Sequence, residues 1–200
     1  MDNIRFDAIN NESVVPYAYI KGDNRVVVIK AGLGGDYSGY ENKYLQISRI
    51  LNKKYGVTVI CISNPEENYP ETYDADIIAR VISEVGIEIP EISLVGVSNG
   101  ANKGLKLAAD TLTVKHLLLV NMPLMVNYHK TLKYISTAET TEITLVCSER
   151  DPSYSYVPFL ELKHFPNLKI VRVPKADHQF IGMLREFIEL VVGFFDFLEQ

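Results

Sequence analysis

Short runs of consecutive apolar residues alternate along the chain with longer segments in which apolar residues recur every three or four positions. The short runs are typical of strands buried on both faces of a sheet, and the longer segments are typical of helices with one core-facing side. The runs that predict parallel strands are Arg25–Lys30, Val57–Ile62, Ile92–Val97, His116–Val120, Ile143–Cys147 and Leu168–Val173. Their alternation with helical segments predicts an α/β fold, in which helices cover both faces of a mostly parallel sheet.

Three helical segments carry clear apolar stripes. The stripes are Tyr40, Tyr44, Ile47 and Leu51, then Ile77, Ile78, Val81, Ile82 and Val85, and then Ile181, Leu184, Ile188, Val191, Phe195 and Leu198. We expect these positions, and the phenylalanines near the end of the chain, to face the core. A further run, Val14–Ile20, contains Pro16 and predicts an antiparallel edge strand, because a missing backbone donor is tolerated best there. The expected sheet has about seven strands.

Length, charge and the distribution of apolar segments limit the domain organisation, the partners and the location that we expect. Residues 1–200 are expected to form a single domain, because no Pro/Gly/Ser-rich stretch or charge run divides them. The net charge of -5 gives no basic surface for nucleic acid or anionic lipid. The first residues lack the order of a signal peptide, and Glu189 and Asp196 interrupt the most apolar segment. We therefore expect no nucleic-acid partner, no membrane span and a cytoplasmic location.

The two cysteines, Cys61 and Cys147, lie inside apolar strand-like runs. Two cysteines without the spacing of metal ligands are more often buried free thiols than a disulfide or a ligand pair. We expect buried free thiols here.

The most informative stretch is Gly96-Val97-Ser98-Asn99-Gly100, which follows a predicted strand and opens a predicted helix over 101–109. A serine between two glycines at a strand-to-helix turn exposes its hydroxyl above the sheet. Side chains at Gly96 or Gly100 are expected to collide with the helix or strand packed beside the turn. Ser98 is thus the candidate nucleophile, although the pattern also suits a turn that merely connects two elements.

A nucleophilic serine needs a general base within hydrogen-bond reach. His178 lies in the loop after the last predicted strand, at the same carboxyl edge of the sheet as Ser98. The other histidines, His116, His129 and His164, are interpreted as surface or packing residues. His178 is therefore the candidate base.

The base in turn needs an orienting carboxylate from another loop at this edge. Asp151 follows the predicted strand 143–147 and precedes Pro152, which fixes the loop, so we favour Asp151 over Glu149 and Asp177. Taken alone, Asp151 suits a turn or a helix start equally well. The order Ser, Asp, His along the chain is the one expected of the fold that carries such a serine turn.

An oxyanion formed at the serine needs two hydrogen-bond donors. The backbone N–H of Asn99, at the start of its helix, is expected to supply one. The loop over 31–39 is expected to supply the other, from Leu33 first and Gly34 second. The alternative that this glycine-rich loop cradles a phosphate is disfavoured, because it lacks the third glycine of GxGxxG and any Gly-Lys-Ser/Thr.

Together, and in this order, these motifs resemble the α/β-hydrolase superfamily over nearly the whole chain. The matching stretches are Gly32-Leu33-Gly34-Gly35, Gly96-Val97-Ser98-Asn99-Gly100, Glu149-Arg150-Asp151-Pro152 and Ala176-Asp177-His178-Gln179-Phe180, the last similar to the family's common Gly-Ala-Asp-His-x-Phe. The resemblance implies that Ser98 is the nucleophile, His178 the base and Asp151 the acid. It also implies oxyanion donors at Leu33 and Asn99. Two features depart from the family: Ala31 replaces a usual histidine, and the cap segment over 121–141 is short.

The resemblance implies a hydrolase that transfers the acyl group of a small-molecule ester or thioester to water, with no metal and no cofactor. We expect a monomer or homodimer with one cap helix over about 126–135. The substrate pocket is expected to include Gly34, Met122 and Met125, beside Leu33, Leu124 and Tyr128. Two alternatives stay open: a non-catalytic ligand-binding protein of the same fold, and an acyltransferase or peptidase with the same triad.

Overall fold

A computed structural model describes residues 4–10, 14–65 and 72–199. The strands are β1 (Ile4–Asn10), β2 (Val14–Ile20), β3 (Arg25–Lys30), β4 (Thr58–Ile62), β5 (Glu91–Val97), β6 (Val114–Val120), β7 (Glu142–Ser148) and β8 (Leu168–Val173). The helices are α1 (Lys43–Tyr55), α2 (Thr72–Val85), α3 (Asn99–Asp110), α4 (Leu124–Thr137), α5 (Val157–Glu161) and α6 (Leu184–Phe194).

All eight strands form one sheet in the order β1-β2-β4-β3-β5-β6-β7-β8. Strands β3 to β8 are parallel to one another, whereas β2 pairs antiparallel with both β1 and β4. The predicted α/β class is therefore confirmed. The buried runs became strands because a parallel sheet covered on both faces needs apolar side chains on both sides.

The prediction of about seven strands missed β1. This strand covers β2, so Val14–Ile20 is antiparallel as predicted but does not lie at the edge, and Pro16 is paired with Ala8. The segment Ile4–Asn10 was missed because polar residues alternate with apolar ones and give no buried run. Such alternation is typical of an edge strand with a solvated face.

Two layers of helices enclose the sheet. On one face, α1 and α6 pack over a core that contains Ile47, Leu51 and Phe187. On the other face, α2 to α5 cover a second core, in which Ile77 and Leu105 are buried. Within the parts of the chain that the structure describes, no helix combines the length and the apolar character needed to cross a membrane.

The two cysteines lie on opposite faces of the sheet. Cys61 of β4 belongs to the core under α1 and α6, and Cys147 of β7 belongs to the core under the other helices. Both thiols are free and buried, as predicted.

Among the described side chains that the helical pattern assigned to the core, two are exposed instead; the side chain of Leu198 lies outside the described ones. Tyr40 is 66% exposed in a 3-10 turn, and Ile181 is 68% exposed in the loop before α6. Helix α1 starts only at Lys43, because Glu41 and Asn42 have left-handed backbone angles, with φ of 52° and 58°. Both predicted stripes therefore begin about one turn before the helix that carries them.

Candidate active site

Ser98 occupies a sharp turn between β5 and α3, with φ of 54° and ψ of -123°. A positive φ is costly for a residue with a side chain and persists only where the surroundings fix it. The Ser98 N–H donates to Val120 O at 2.8 Å, and Ser98 O accepts from the N–H of Ala101 at 2.9 Å. The turn is thus tied to the end of β6 and to the first turn of α3.

Both glycines of the turn are required by close packing. A Cβ at Gly96 would lie 2.5 Å from Ala101 Cα, and a Cβ at Gly100 would lie 2.3 Å from Ala31 O. Backbone atoms at these distances cannot move aside without shifting a strand or a helix. The steric role expected of the two glycines therefore matches the packing around them.

The structure brings the three predicted side chains together. His178 Nε2 lies 2.9 Å from Ser98 Oγ, and His178 Nδ1 forms a hydrogen bond with Asp151 Oδ2. The other oxygen of Asp151 accepts the N–H of Ser153 at 2.7 Å. Because a carboxylate can only accept, Asp151 favours the tautomer with a proton on Nδ1, which leaves Nε2 to accept the serine proton.

The surroundings raise the pKa of His178 above its ordinary value of 6.5. The main cause is the hydrogen bond that the His178 ring donates to Asp151, and the negative charges of Asp151 and Asp177 act in the same direction. Burial and the positive charge of Lys43 oppose this rise. The carboxylate therefore strengthens His178 as a base while it orients the ring.

The two other acids near the histidine have separate structural roles. Asp177 Oδ1 accepts the backbone N–H groups of Gln179 and Ile181, each at 3.0 Å, and so shapes the histidine loop. Glu149 Oε2 accepts the N–H of Lys175 at 3.1 Å. Of the three acids considered from the sequence, Asp151 is the one that forms a hydrogen bond with the His178 ring.

The sequence reasoning missed Asn121, which holds the histidine loop against the sheet. Its buried amide donates to His178 O at 3.0 Å and to Ser148 Oγ at 2.9 Å, and accepts the N–H of Ser148 at 2.9 Å. It also donates to Asp177 O at 3.3 Å. Its place directly after β6, at the carboxyl edge where the other candidates lie, is the signal that could have drawn attention to the position, although not to its hydrogen bonds.

In the loop after β3, the N–H of one predicted donor is free and the N–H of the other is occupied. Among the described residues, the N–H groups of Leu33 and Asn99 have no hydrogen-bond acceptor, so they are available to an oxyanion. The N–H of Gly34, in contrast, donates to Asn64 O at 2.7 Å. The prediction of Gly34 as the second choice of oxyanion donor is therefore wrong, because its N–H is already hydrogen-bonded.

Asn64, at the end of β4, braces this loop and was also missed. It is fully buried, its N–H donates to Gly35 O at 2.8 Å, and its side-chain amide donates to Ala31 O at 3.1 Å. The same amide donates to Asn99 Oδ1 at 3.1 Å. Asn64 thus links the loop to the serine turn. It also supplies a polar anchor beside Ala31, the position at which the α/β-hydrolase family usually has a histidine.

A cleft of about 400 Å³ opens over Ser98. Its lining residues are Gly32, Leu33, Gly35, Gly39, Tyr40, Lys43, Tyr44, Val97, Ser98, His178, Gln179 and Ile181. Most of these come from the loop after β3, the start of α1 and the histidine loop. The exposed Tyr40 and Ile181 belong to this site rather than to the core.

The substrate pocket expected around the cap is corrected by this arrangement. Gly34, Met122 and Met125 do not line the cleft. Met122 and Leu124 are buried in the core under α2 to α5, and Met125 is 51% exposed. These residues do not reach the cleft because α4 packs against α3, so the apolar residues of α4 do not lie over the serine.

The described parts of the chain contain no group of three or more His, Cys, Asp or Glu side chains that could hold a metal ion. His116 lies beside Glu142 and Phe197, away from the cleft.

The arrangement of strands and helices matches that of several solved structures. Est1E from Butyrivibrio proteoclasticus superposes with a TM-score of 0.72 at 15% identity, covering 94% of this chain and 96% of that one. An alpha-beta serine hydrolase homologue from Coxiella burnetii gives 0.66 at 22% identity, with 96% and 97% covered.

Dienelactone hydrolase from Anabaena variabilis gives a TM-score of 0.67 at 15% identity, with 96% and 97% covered. No protein-family model and no curated protein sequence matches the chain significantly. At these identities the likeness concerns architecture: the chain has the α/β-hydrolase fold.

Proposed function

We propose that this chain of α/β-hydrolase fold is a serine hydrolase that cleaves a carboxylic ester or thioester of a small molecule through an acyl-enzyme. The observation that carries the proposal is the continuous contact from Asp151 through His178 to Ser98, at a turn that exposes the serine above the sheet. This constellation suits acyl transfer because each group performs one step of it.

In the first half of the reaction, Ser98 Oγ attacks the carbonyl carbon while His178 Nε2 takes the hydroxyl proton. The carbonyl oxygen becomes an oxyanion, and the free N–H groups of Leu33 and Asn99 are the donors proposed to bind it. His178 then gives its proton to the departing alcohol or thiol. Asp151 stays ionised throughout and stabilises the imidazolium.

In the second half, water replaces the alcohol beside His178. The histidine takes a proton from this water, the hydroxide adds to the acyl carbon, and Ser98 leaves with the proton returned by His178. The cleft is open to solvent at His178, whose side chain is partly exposed, so water reaches the acyl group. Access of water favours hydrolysis over transfer to another acceptor.

Two further observations support catalysis over a purely ligand-binding role. The backbone strain at Ser98 serves no packing purpose, because the side chain projects into the cleft. Strain of this kind is found mainly where function requires it. In addition, solved structures of the same fold include proteins described as esterases and a dienelactone hydrolase.

The test is hydrolysis of 4-nitrophenyl esters of graded chain length, together with labelling by a fluorophosphonate. We expect turnover and labelling by the unaltered protein and loss of both in Ser98→Ala, since no other group replaces the nucleophile. Ser155→Ala, a change at an exposed serine outside the cleft, is the matched control and should keep both. Folded protein with neither turnover nor label would refute the proposal, as would full activity in Ser98→Ala.

A further inference from the structure

Lys43, the first residue of α1, places a buried cation in the wall of the serine cleft. Its side chain is only 8% exposed, yet it lines the same cleft as Ser98 and His178. Its Nζ lies 4.3 Å from the centroid of the Phe187 ring and 5.3 Å from that of Tyr44. A lysine at a helix start is ordinarily solvated, so this burial needs an explanation.

Within the described residues, the Nζ of Lys43 forms no ion pair and donates no hydrogen bond, and it lies over the faces of two aromatic rings. The comparison with Lys30, another buried lysine, is informative. The Nζ of Lys30 lies 2.7 Å from Asp74 Oδ1 and 2.6 Å from Ser63 O. Buried charges in proteins are ordinarily paired in this way, because an unpaired one loses its hydration without replacement.

No carboxylate of the described residues pairs with the Lys43 ammonium. Asp36 lies in the same loop region, but one oxygen of its carboxylate accepts from Ser38 N, Ser38 Oγ and Gly39 N, at 2.6–2.8 Å. Burial lowers the pKa of Lys43 with no opposing acid, and the lysine charge opposes the rise in the pKa of His178. The positive charge is thus felt at the reacting groups.

We propose that Lys43 binds a carboxylate carried by the substrate, so that the enzyme prefers esters with a free carboxylate a few atoms from the scissile carbonyl. This inference rests on the proposed hydrolase function and adds the substrate class. A carboxylate in the cleft would pair the ammonium at a site with little competing water, where such a pair is stronger than at the surface.

The remaining wall of the cleft fits the rest of such a substrate. Leu33, Tyr40 and Ile181 are large apolar side chains, all more than half exposed, at its rim. They offer contact to the short hydrocarbon part that separates the carboxylate from the ester. The cleft therefore combines one cation, an apolar rim and a nucleophile, which is the pattern of a site selecting an amphipathic anion.

The test compares charged and neutral esters of similar size. Monomethyl glutarate against methyl pentanoate places the carboxylate on the acyl side, and 4-acetoxybenzoate against its methyl ester places it on the alcohol side. We expect the unaltered protein to favour the anionic member of at least one pair. The ratio of kcat/KM for the anionic over the neutral ester should fall about 10- to 100-fold in Lys43→Met, as expected for a lost charge-assisted hydrogen bond.

The controls separate charge from packing. Methionine keeps an unbranched apolar stem and removes only the charged end, and Lys43→Arg keeps the charge and should retain most of the ratio. Lys163→Met, at an exposed lysine outside the cleft, should leave the ratio unchanged. Thermal unfolding confirms that each variant is folded.

A second measurement does not depend on turnover. Binding of glutarate to Ser98→Ala, followed by calorimetry, should be detectable and should weaken at least 10-fold when Lys43→Met is added. An unchanged ester ratio in Lys43→Met, or equal glutarate binding with and without Lys43, would overturn the inference. The proposed function fails separately, by absence of turnover and labelling with neutral 4-nitrophenyl esters.

Discussion

Replacing Asn121 by alanine is expected to weaken both the fold and the catalysis, because one side chain connects the ends of β6 and β7 with the histidine loop. The change removes the bonds to Ser148 Oγ, Ser148 N and His178 O, all between 2.9 and 3.0 Å. At ~1 kcal/mol net for each, stability should fall by about 3 kcal/mol. For a chain of this size that corresponds to a decrease in Tm of about 6–12 °C.

The effect on the reaction follows from the position of the lost bond. Asn121 holds the backbone carbonyl of His178, so its loss lets the imidazole drift from Ser98 Oγ, from which it is 2.9 Å away. Misplacement by about 1 Å can cost on the order of 10²-fold in rate. We expect kcat for a 4-nitrophenyl ester to fall between 10- and 100-fold, with a smaller change in KM.

Two companion variants make the assay specific. Asn121 has a φ of 49°, so alanine there also adds backbone strain, whereas Asn121→Gly removes the amide without strain. Asn102→Ala changes an asparagine of α3 that donates no side-chain hydrogen bond to the described residues, and should leave Tm and kcat near their original values. If Asn121→Ala and Asn121→Gly both keep the original Tm and kcat, the hydrogen bonds of this amide contribute neither to stability nor to catalysis, and the prediction is wrong.

Two further predictions concern proton transfer and packing. The pKa of His178 is raised above 6.5, and only neutral His178 can accept the serine proton. A plot of kcat/KM against pH should therefore rise to a plateau, with its midpoint above pH 6.5. A midpoint below pH 6.5 would contradict this. The same shift acts oppositely on stability: its contribution is complete below pH 6.5 and is lost as pH rises through the folded-state pKa, which urea unfolding at several pH values checks. Gly100→Ala should destabilise the protein by about 1–3 kcal/mol, since the added Cβ would lie 2.3 Å from Ala31 O and cannot be accommodated without moving β3. Gly193→Ala, which meets only Asp196 Oδ2 at 3.9 Å, should instead raise Tm slightly, and equal Tm changes in the two variants would refute the packing argument.

Strands buried on both faces were the most predictable part of the fold. The run Arg25–Lys30 became β3 with the same bounds, because its central residues are apolar and buried on both sides of the sheet. Leu168–Val173 became β8 with the same bounds although this edge strand is only partly buried, since its apolar residues still pair with β7. β1 was not predicted, since an edge strand has a mixed pattern that many loops share. Tyr40 and Ile181 were misassigned because apolar spacing alone does not show where a helix can begin.

The candidate site also contains residues that the sequence predicted and residues that it did not. Ser98, Asp151 and His178 were predicted to meet because each follows a parallel strand, and the ends of such strands share one edge. Lys43 could not be found this way, since a lysine at a helix start is normally exposed and only the fold shows Phe187 beneath it. Asn64 and Asn121 act through bonds to backbone groups far away in sequence, which residue type and spacing do not reveal.

The opposed positions of Cys61 and Cys147 give the protein two internal reporters of local opening. Burial raises the pKa of each thiol to about 12, so reactive thiolate is scarce at neutral pH while the helices stay in place. A thiol reagent should reach Cys61 when the layer of α1 and α6 lifts from the sheet, and Cys147 when the opposite layer does. The alkylation rates of two native atoms thus distinguish motion of one helical layer from motion of the other, without a foreign probe.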